Sequence, residues 1–235
     1  MVILKFALKR SFRSPVAILA SFILPVALML IPDLWDDVVA SAAFGVNGRG
    51  PQFIALVMLF GALPLTRGMI HERREKTIIR IMSTPTTTFD YLSQNLIACM
   101  IPLLMQIAIV CTLGVLMHDW TAQFTILIGL LYVVFATTSI SFCFAWNCLF
   151  KNSETSFTVM SMVLTFATFI LLMPLSFFPD LVRNAFMILP TYWIASGLEE
   201  LISYGEATMQ YTIAMAIMAL FTAVFLLYGS KRGAY

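Results

Sequence analysis

The sequence predicts an all-α membrane protein of six transmembrane helices, on three observations. Of the 235 residues 60% are hydrophobic and 11% charged, with a mean hydropathy of +0.93, whereas a globular domain carries about a quarter charged residues. The apolar residues gather into blocks near the ~20 needed to cross ~30 Å of hydrocarbon. Twelve of the fourteen Lys and Arg side chains fall in the segments that successive crossings place on one face. The positive-inside rule makes that face cytoplasmic, so both termini lie inside and the span count is even.

Residues 1–14 interleave Leu4, Ala7, Leu8 and Phe12 with Lys5, Lys9, Arg10 and Arg13, which suits a helix lying in the cytoplasmic interface. A plain basic flank ahead of a span would read almost the same. A basic start followed by an apolar run also has the form of a signal peptide, and Ala40-Ser41-Ala42 resembles a cleavage site. That triplet lies well past the apolar run and beyond Asp33, Asp36 and Asp37, so the first span, 15–31, is read as retained. Residues 32–51 are acidic, with Arg49 their single cation, and are placed outside. Span two covers 52–70, span three 92–117, span four 124–150, span five 155–175 and span six 207–228. Asp119 marks the outer turn between spans three and four, and Lys151 the inner turn after span four.

Two stretches are neither spans nor simple loops. Residues 72–85 read E-R-R-E-K-T-I-I-R-I-M-S-T-P. Ile78, Ile81 and Met82 recur at the spacing of one helical face, and Pro85 then disfavours helix at Thr84. A basic amphipathic helix between two spans suits docking to a soluble partner. Residues 176–206 are broken by Pro179 and Pro190 into two short apolar pieces that carry Asp180, Glu199 and Glu200. Neither piece is long enough to cross, and those acids would be costly in lipid. An outer re-entrant or interfacial hairpin fits, with Tyr192 and Trp193 as interface anchors; an ordinary amphipathic outer loop is the alternative.

In these two stretches and in the order of elements the chain resembles the permease subunits of ABC-2-type exporters, of the multidrug and antimicrobial-peptide kind. Those carry after span two a cytoplasmic coupling helix reading roughly E-R-E-R-G-T-L-E-R-L-L-A-T-P. This chain matches it at Glu72, Arg73, Thr77, Arg80, Thr84 and Pro85, and departs at Arg74-Glu75, Lys76 and Ile79. Pro190-Thr191-Tyr192-Trp193 is similar to the family's hairpin turn. The resemblance implies an N-terminal elbow helix over 1–14, a coupling region over 72–91 and an outer hairpin between spans five and six. It also implies a cytoplasmic (inner) membrane location, two copies of a separate ATPase that holds ATP and Mg, and a second permease chain, a homodimer in the simple case and a heterodimer otherwise.

The chain contains no G-x-x-x-x-G-K-[ST], so it offers no phosphate cradle of its own. Its four cysteines, Cys99, Cys111, Cys143 and Cys148, sit in apolar blocks without C-x-x-C spacing, which argues against a metal or disulfide framework. An intramembrane hydrolase would need a nucleophile–base pair at mid-depth, yet the two histidines, His71 and His118, lie at span ends; a transporter subunit rather than an enzyme is expected. A secondary transporter would place an ionisable group near the midplane, and none is visible. A six-span scaffold stays open but leaves the 72–85 helix unexplained. Asn95, Gln106, Asn147, Thr165 and Thr168 are candidate contacts along a substrate path, each of which would equally serve as an interhelical hydrogen bond. The Phe- and Met-rich spans suit a drug, lipid-like molecule or peptide as cargo, with polysaccharide, haem or sodium as alternatives.

Overall fold

The computed structural model describes residues 8–9, 18–31, 35, 49–74, 88–150, 153–172 and 179–232, and every element among them is helical. A π-helical stretch, Leu19–Ile23, runs into α1 (Leu24–Met29). It is followed by α2 (Gly50–Arg74), α3 (Thr88–Met117), α4 (Ala122–Asn147), α5 (Ser153–Leu172), α6 (Asp180–Phe186), α7 (Pro190–Tyr204) and α8 (Met209–Arg232). Apart from residues 8–9, the expected elbow over 1–14 lies outside the described residues.

Among the described residues three helices are long and apolar enough to cross a membrane: Asp90–Met117, Ala122–Asn147 and Met209–Lys231. Gly50–Thr66 and Thr158–Leu172 are shorter apolar stretches. The surface of the bundle bears Leu116, Ile126 and Leu220, each more than 60% exposed, a cladding suited to hydrocarbon rather than water. Pro64 and Pro102 lie inside α2 and α3, which neighbouring helices in a bundle tolerate.

Local chemistry sets the ends. The Thr121 hydroxyl accepts from the Phe124 amide at 3.3 Å and caps α4. Asp119 takes a left-handed φ of 51° in the turn before it, a conformation that Asp tolerates better than most residues. Gly205 ends α7 at φ 69°, its amide bonded to the Leu201 carbonyl at 2.8 Å, the left-handed stop for which glycine is suited.

Helix α4 is the hub. It packs on α2, α3, α7 and α8, and Ile128, Leu131, Tyr132, Phe135, Ile140 and Phe144 are all essentially inaccessible. Interhelical hydrogen bonds fix the directions. Tyr132 Oη donates to the Pro51 carbonyl at 2.8 Å and Asn147 Nδ2 to the Thr66 carbonyl at 3.5 Å, both across 81 residues of sequence. A constant offset means that α2 and α4 run parallel. Tyr211 Oη to the Leu127 carbonyl (2.8 Å), Thr138 with Thr222 (2.9 Å) and Cys148 Sγ to the Gly229 carbonyl (3.7 Å) span offsets of 84, 84 and 81, so α8 is parallel too. Against α3 the offset grows from 14 at Cys111–Thr125 to 37 at Thr137–Met100, which makes α3 antiparallel. The C-terminal ends of α2, α4 and α8 therefore share one end of the bundle.

Candidate functional site

That shared end is the first candidate site. Glu72 and Arg73 fall in the last turn of α2, which ends at Arg74, while α8 ends at Lys231-Arg232. Cations at helix C-termini complement the partial negative charge of the unsatisfied carbonyls, so the parallel arrangement gathers basic helix ends on one face. Thr77, Arg80, Thr84 and Pro85 lie outside the described residues.

The opposite end is tied by aromatic rings. Trp35 donates its indole N–H to the Leu28 carbonyl at 3.0 Å, and its ring lies 4.9 Å from His118 and 5.6 Å from Trp120. His118 Nε2 is 3.1 Å from the Met29 carbonyl. These contacts depend on glycine: a Cβ on Gly50 would come 2.5 Å from the Trp35 ring, and one on Gly114 2.3 Å from the Trp120 ring. Both cations near this end have acidic neighbours. Arg183 pairs with Asp180 at 2.7 Å. Partial burial lowers the pKa of the Arg49 guanidinium, and the charge of Glu199 opposes that shift.

The short helix α6 and the longer α7 that follows it are the third feature. Pro179 occupies the position before α6 and Pro190 the first turn of α7, where a missing N–H costs nothing. Tyr192 is buried and Trp193 half-buried. The Trp193 indole donates to the Met187 carbonyl at 2.8 Å, and the two rings meet edge to face at 5.3 Å. Helix α7 rises antiparallel to α4. Thr191 shares a cavity with Ser139, whereas Gly197 approaches Leu131, where a Cβ would lie 3.1 Å from Leu131 Cδ1. Gln210 Nε2 donates to Ser196 Oγ at 3.3 Å and ties α7 to the first turn of α8.

The five polar span residues do not come together. Asn95 is buried and donates to the Tyr91 carbonyl at 2.9 Å within α3. Asn147 is a strut: besides Thr66 on α2 it accepts from Ser156 of α5 at 3.4 Å. Thr165 lies on the exposed side of α5 and Thr168 is half-buried, each donating one turn back, to Ser161 and Leu164, at 2.8 Å. Gln106 is completely buried in α3, and neither amide atom has a hydrogen-bond partner among the described residues.

Sequence reasoning missed one feature, a partly open apolar cavity of about 30 Å³ at the start of α7. Leu59 of α2, Phe135, Ser139 and Phe142 of α4, Leu164 and Ala167 of α5, and Pro190 and Thr191 line it. Ser139 Oγ donates to the Phe135 carbonyl at 2.8 Å, whereas the buried Thr191 Oγ1 has no partner among the described residues. Nothing in the periodicity of the chain brings Ser139 and Thr191 together; only the packing of α7 on α4 does. Among the described residues no group of His, Cys, Asp and Glu could hold a metal ion.

Comparison with known proteins places these features in a family. A family model described as ABC-2 family transporter protein matches residues 47–231, well over half of the chain. The comparison with curated proteins found no match.

Proposed function

We propose that this chain, which belongs to the ABC-2 family of transporter proteins, is the permease of an ATP-driven exporter whose ATPase is a separate polypeptide. The family match over residues 47–231 carries the reading. The chain is a multi-pass membrane protein by its three long apolar helices and its family.

In this reading the end shared by α2, α4 and α8 faces the cytoplasm, and residues 72–91 meet the ATPase. Two ATPase copies bind ATP and Mg and close together, the coupling segments follow, and the helical bundles rock between inward- and outward-facing states. Helix α2 supports such a lever, because it continues unbroken from Gly50 into Glu72-Arg73. A second copy completes the path. Helix α5 packs mainly on α2 and α7 and leaves Thr155, Thr158, Met162, Thr165 and Phe166 exposed. Exposed hydroxyls beside apolar side chains suit a face shared between protein chains better than one turned wholly to lipid. The α6–α7 hairpin enters from the outer side, and the cargo is a drug, lipid-like molecule or peptide.

Affinity purification from native membranes, with mass spectrometry of what accompanies the chain, tests this. A P-loop ATPase should co-purify with the wild type and be lost with Glu72→Ala/Arg73→Ala. Recovery of the chain alone, under conditions that keep other membrane complexes whole, would overturn the reading.

A further inference from the structure

We propose that the surface groove between α8 and α5, floored by the last turns of α4, holds one anionic phospholipid. Its acyl chain lies along a ladder of aromatic rings and its headgroup meets the Lys231-Arg232 end of α8. The inference takes from the reading above only that this end of the bundle is cytoplasmic; it concerns a lipid bound from the bilayer, not the cargo.

The groove exists because α7 is short. Gln210 and Ala214 turn one face of α8 toward Ser196 and Gly197 of α7. At helical spacing that face continues through Phe221, Phe225 and Tyr228 to position 232. Helix α7, however, begins only at Pro190, beside Ser139 and Phe142 of α4, and the last turns of α8 extend past it. On the other flank α5 packs on α2, α4 and α7 rather than on α8. Between the two, α4 presents Phe142 and Trp146, with Phe150 just beyond its end.

The rings form a continuous ladder. Phe150 lies 5.2 Å from Trp146, Trp146 5.9 Å from Phe142, Phe142 5.3 Å from Phe225 and Phe225 5.8 Å from Phe221. All five are half-buried, so each keeps an open edge. Thr138 meets Thr222 and Cys148 meets Gly229, which puts Phe221 level with Thr138. From there to Phe150 the ladder runs ~18 Å at 1.5 Å per residue. That is close to the hydrocarbon depth of a single leaflet, half of ~30 Å.

Depth and charge select the occupant. A transmembrane helix from another protein needs a groove as deep as the membrane, whereas α7 closes this one halfway. A phospholipid chain needs one leaflet. The headgroup end is basic: Lys231 is exposed, Arg232 follows it, and residues 122–150 and 207–235 contain no acid. Glu154, in the first turn of α5, is offset by Lys151 in the preceding turn. Basic residues at headgroup depth attract anionic lipids, and the exposed Tyr228 has the place of an interface aromatic.

The test titrates the full chain, in mild-detergent micelles, with phosphatidylglycerol or phosphatidylcholine carrying dibrominated acyl chains, and follows tryptophan fluorescence. Saturable quenching by phosphatidylglycerol is expected. Most of its amplitude should vanish in Trp146→Phe, which keeps a ring in the ladder and removes the reporter. Lys231→Gln/Arg232→Gln should weaken phosphatidylglycerol binding about 25-fold, about fivefold for each cation near the headgroups, and leave phosphatidylcholine unchanged. Lys5→Gln/Lys9→Gln removes as much charge ahead of span one and should leave both unchanged. Equal affinity for the two lipids would overturn the proposal, as would undiminished quenching in Trp146→Phe or equal weakening by the two charge-removing variants. A chain with no saturable site, the result expected if a second copy is seated in the groove, would overturn it too. No ATPase enters the assay, so its failure leaves the permease reading standing, and the co-purification decides that reading separately.

Discussion

Tyr132 allows the packing of the hub helix to be tested with one oxygen atom. Its ring is fully buried on α4, and its hydroxyl donates to the Pro51 carbonyl of α2 at 2.8 Å. Tyr132→Phe keeps the ring and removes only this bond. The Pro51 carbonyl is left with its place in the first helical turn of α2, so no acceptor is orphaned, and the loss is that of one buried hydrogen bond, about 0.5–1.5 kcal/mol. Interhelical bonds in membranes average about 0.6 kcal/mol, which sets the expectation near 1 kcal/mol. Thr138→Val is its counterpart on the other side of the hub. It removes donation to the Met218 carbonyl and the contact with Thr222, while Thr222 keeps its own bond to Met218 at 3.1 Å. The two sites are ~9 Å apart along α4 and face different helices, so their costs should add to within about 0.5 kcal/mol. Resistance to unfolding by SDS in mixed micelles, followed by circular dichroism, gives both values and their sum. A Tyr132→Phe loss above about 3 kcal/mol would refute the reasoning, since it would show disrupted packing and not a missing bond; so would strong coupling between the two sites.

Other outcomes follow from single contacts. Gly197→Leu should wedge α7 off α4 and α8, where even a Cβ would sit 3.1 Å from Leu131 and 3.5 Å from Ala214; overpacking of this kind costs about 1–3 kcal/mol, read in the same SDS assay. Gly114→Ala should push Trp120 off its seat and shift the tryptophan emission to the red, with Ala at the exposed Val115 as a control that leaves the emission unmoved. Gly205→Ala should cost about 1 kcal/mol by forcing a Cβ into the left-handed region at the end of α7. Asn147→Leu should loosen α5 by removing its ties to Thr66 and Ser156, seen as faster hydrogen exchange at the start of α5.

What the sequence makes legible is what length and hydropathy control. Asp90–Met117, Ala122–Asn147 and Met209–Lys231 stand out because each carries enough uninterrupted apolar residues to be helical in hydrocarbon whatever surrounds it. The start of α4 at Ala122 and not Phe124 depends on the Thr121 cap, a local signal present in the sequence but outweighed by the apolar run. Pairings set by packing were not legible. Trp35 reads as a loop residue until α1 and the α3–α4 turn bring it against His118 and Trp120. Among the polar residues Asn147 looks no different from Gln106, yet one bridges three helices and the other has no partner among the described residues. Thr191 reads in the sequence only as part of a proline turn; its burial follows from the packing of α7 along α4.

Cysteine accessibility tests the architecture behind the functional reading most directly. In a background with Cys99, Cys111, Cys143 and Cys148 replaced, single cysteines at Arg74→Cys, Lys151→Cys and Arg232→Cys would be probed with a membrane-impermeant maleimide. Asp119→Cys, Arg183→Cys and Glu206→Cys report the other end of the bundle. The first three should label only from the cytoplasmic side and the second three only from outside, because α2, α4 and α8 run parallel through one membrane. Labelling of Arg74→Cys and Arg232→Cys from opposite sides would contradict it.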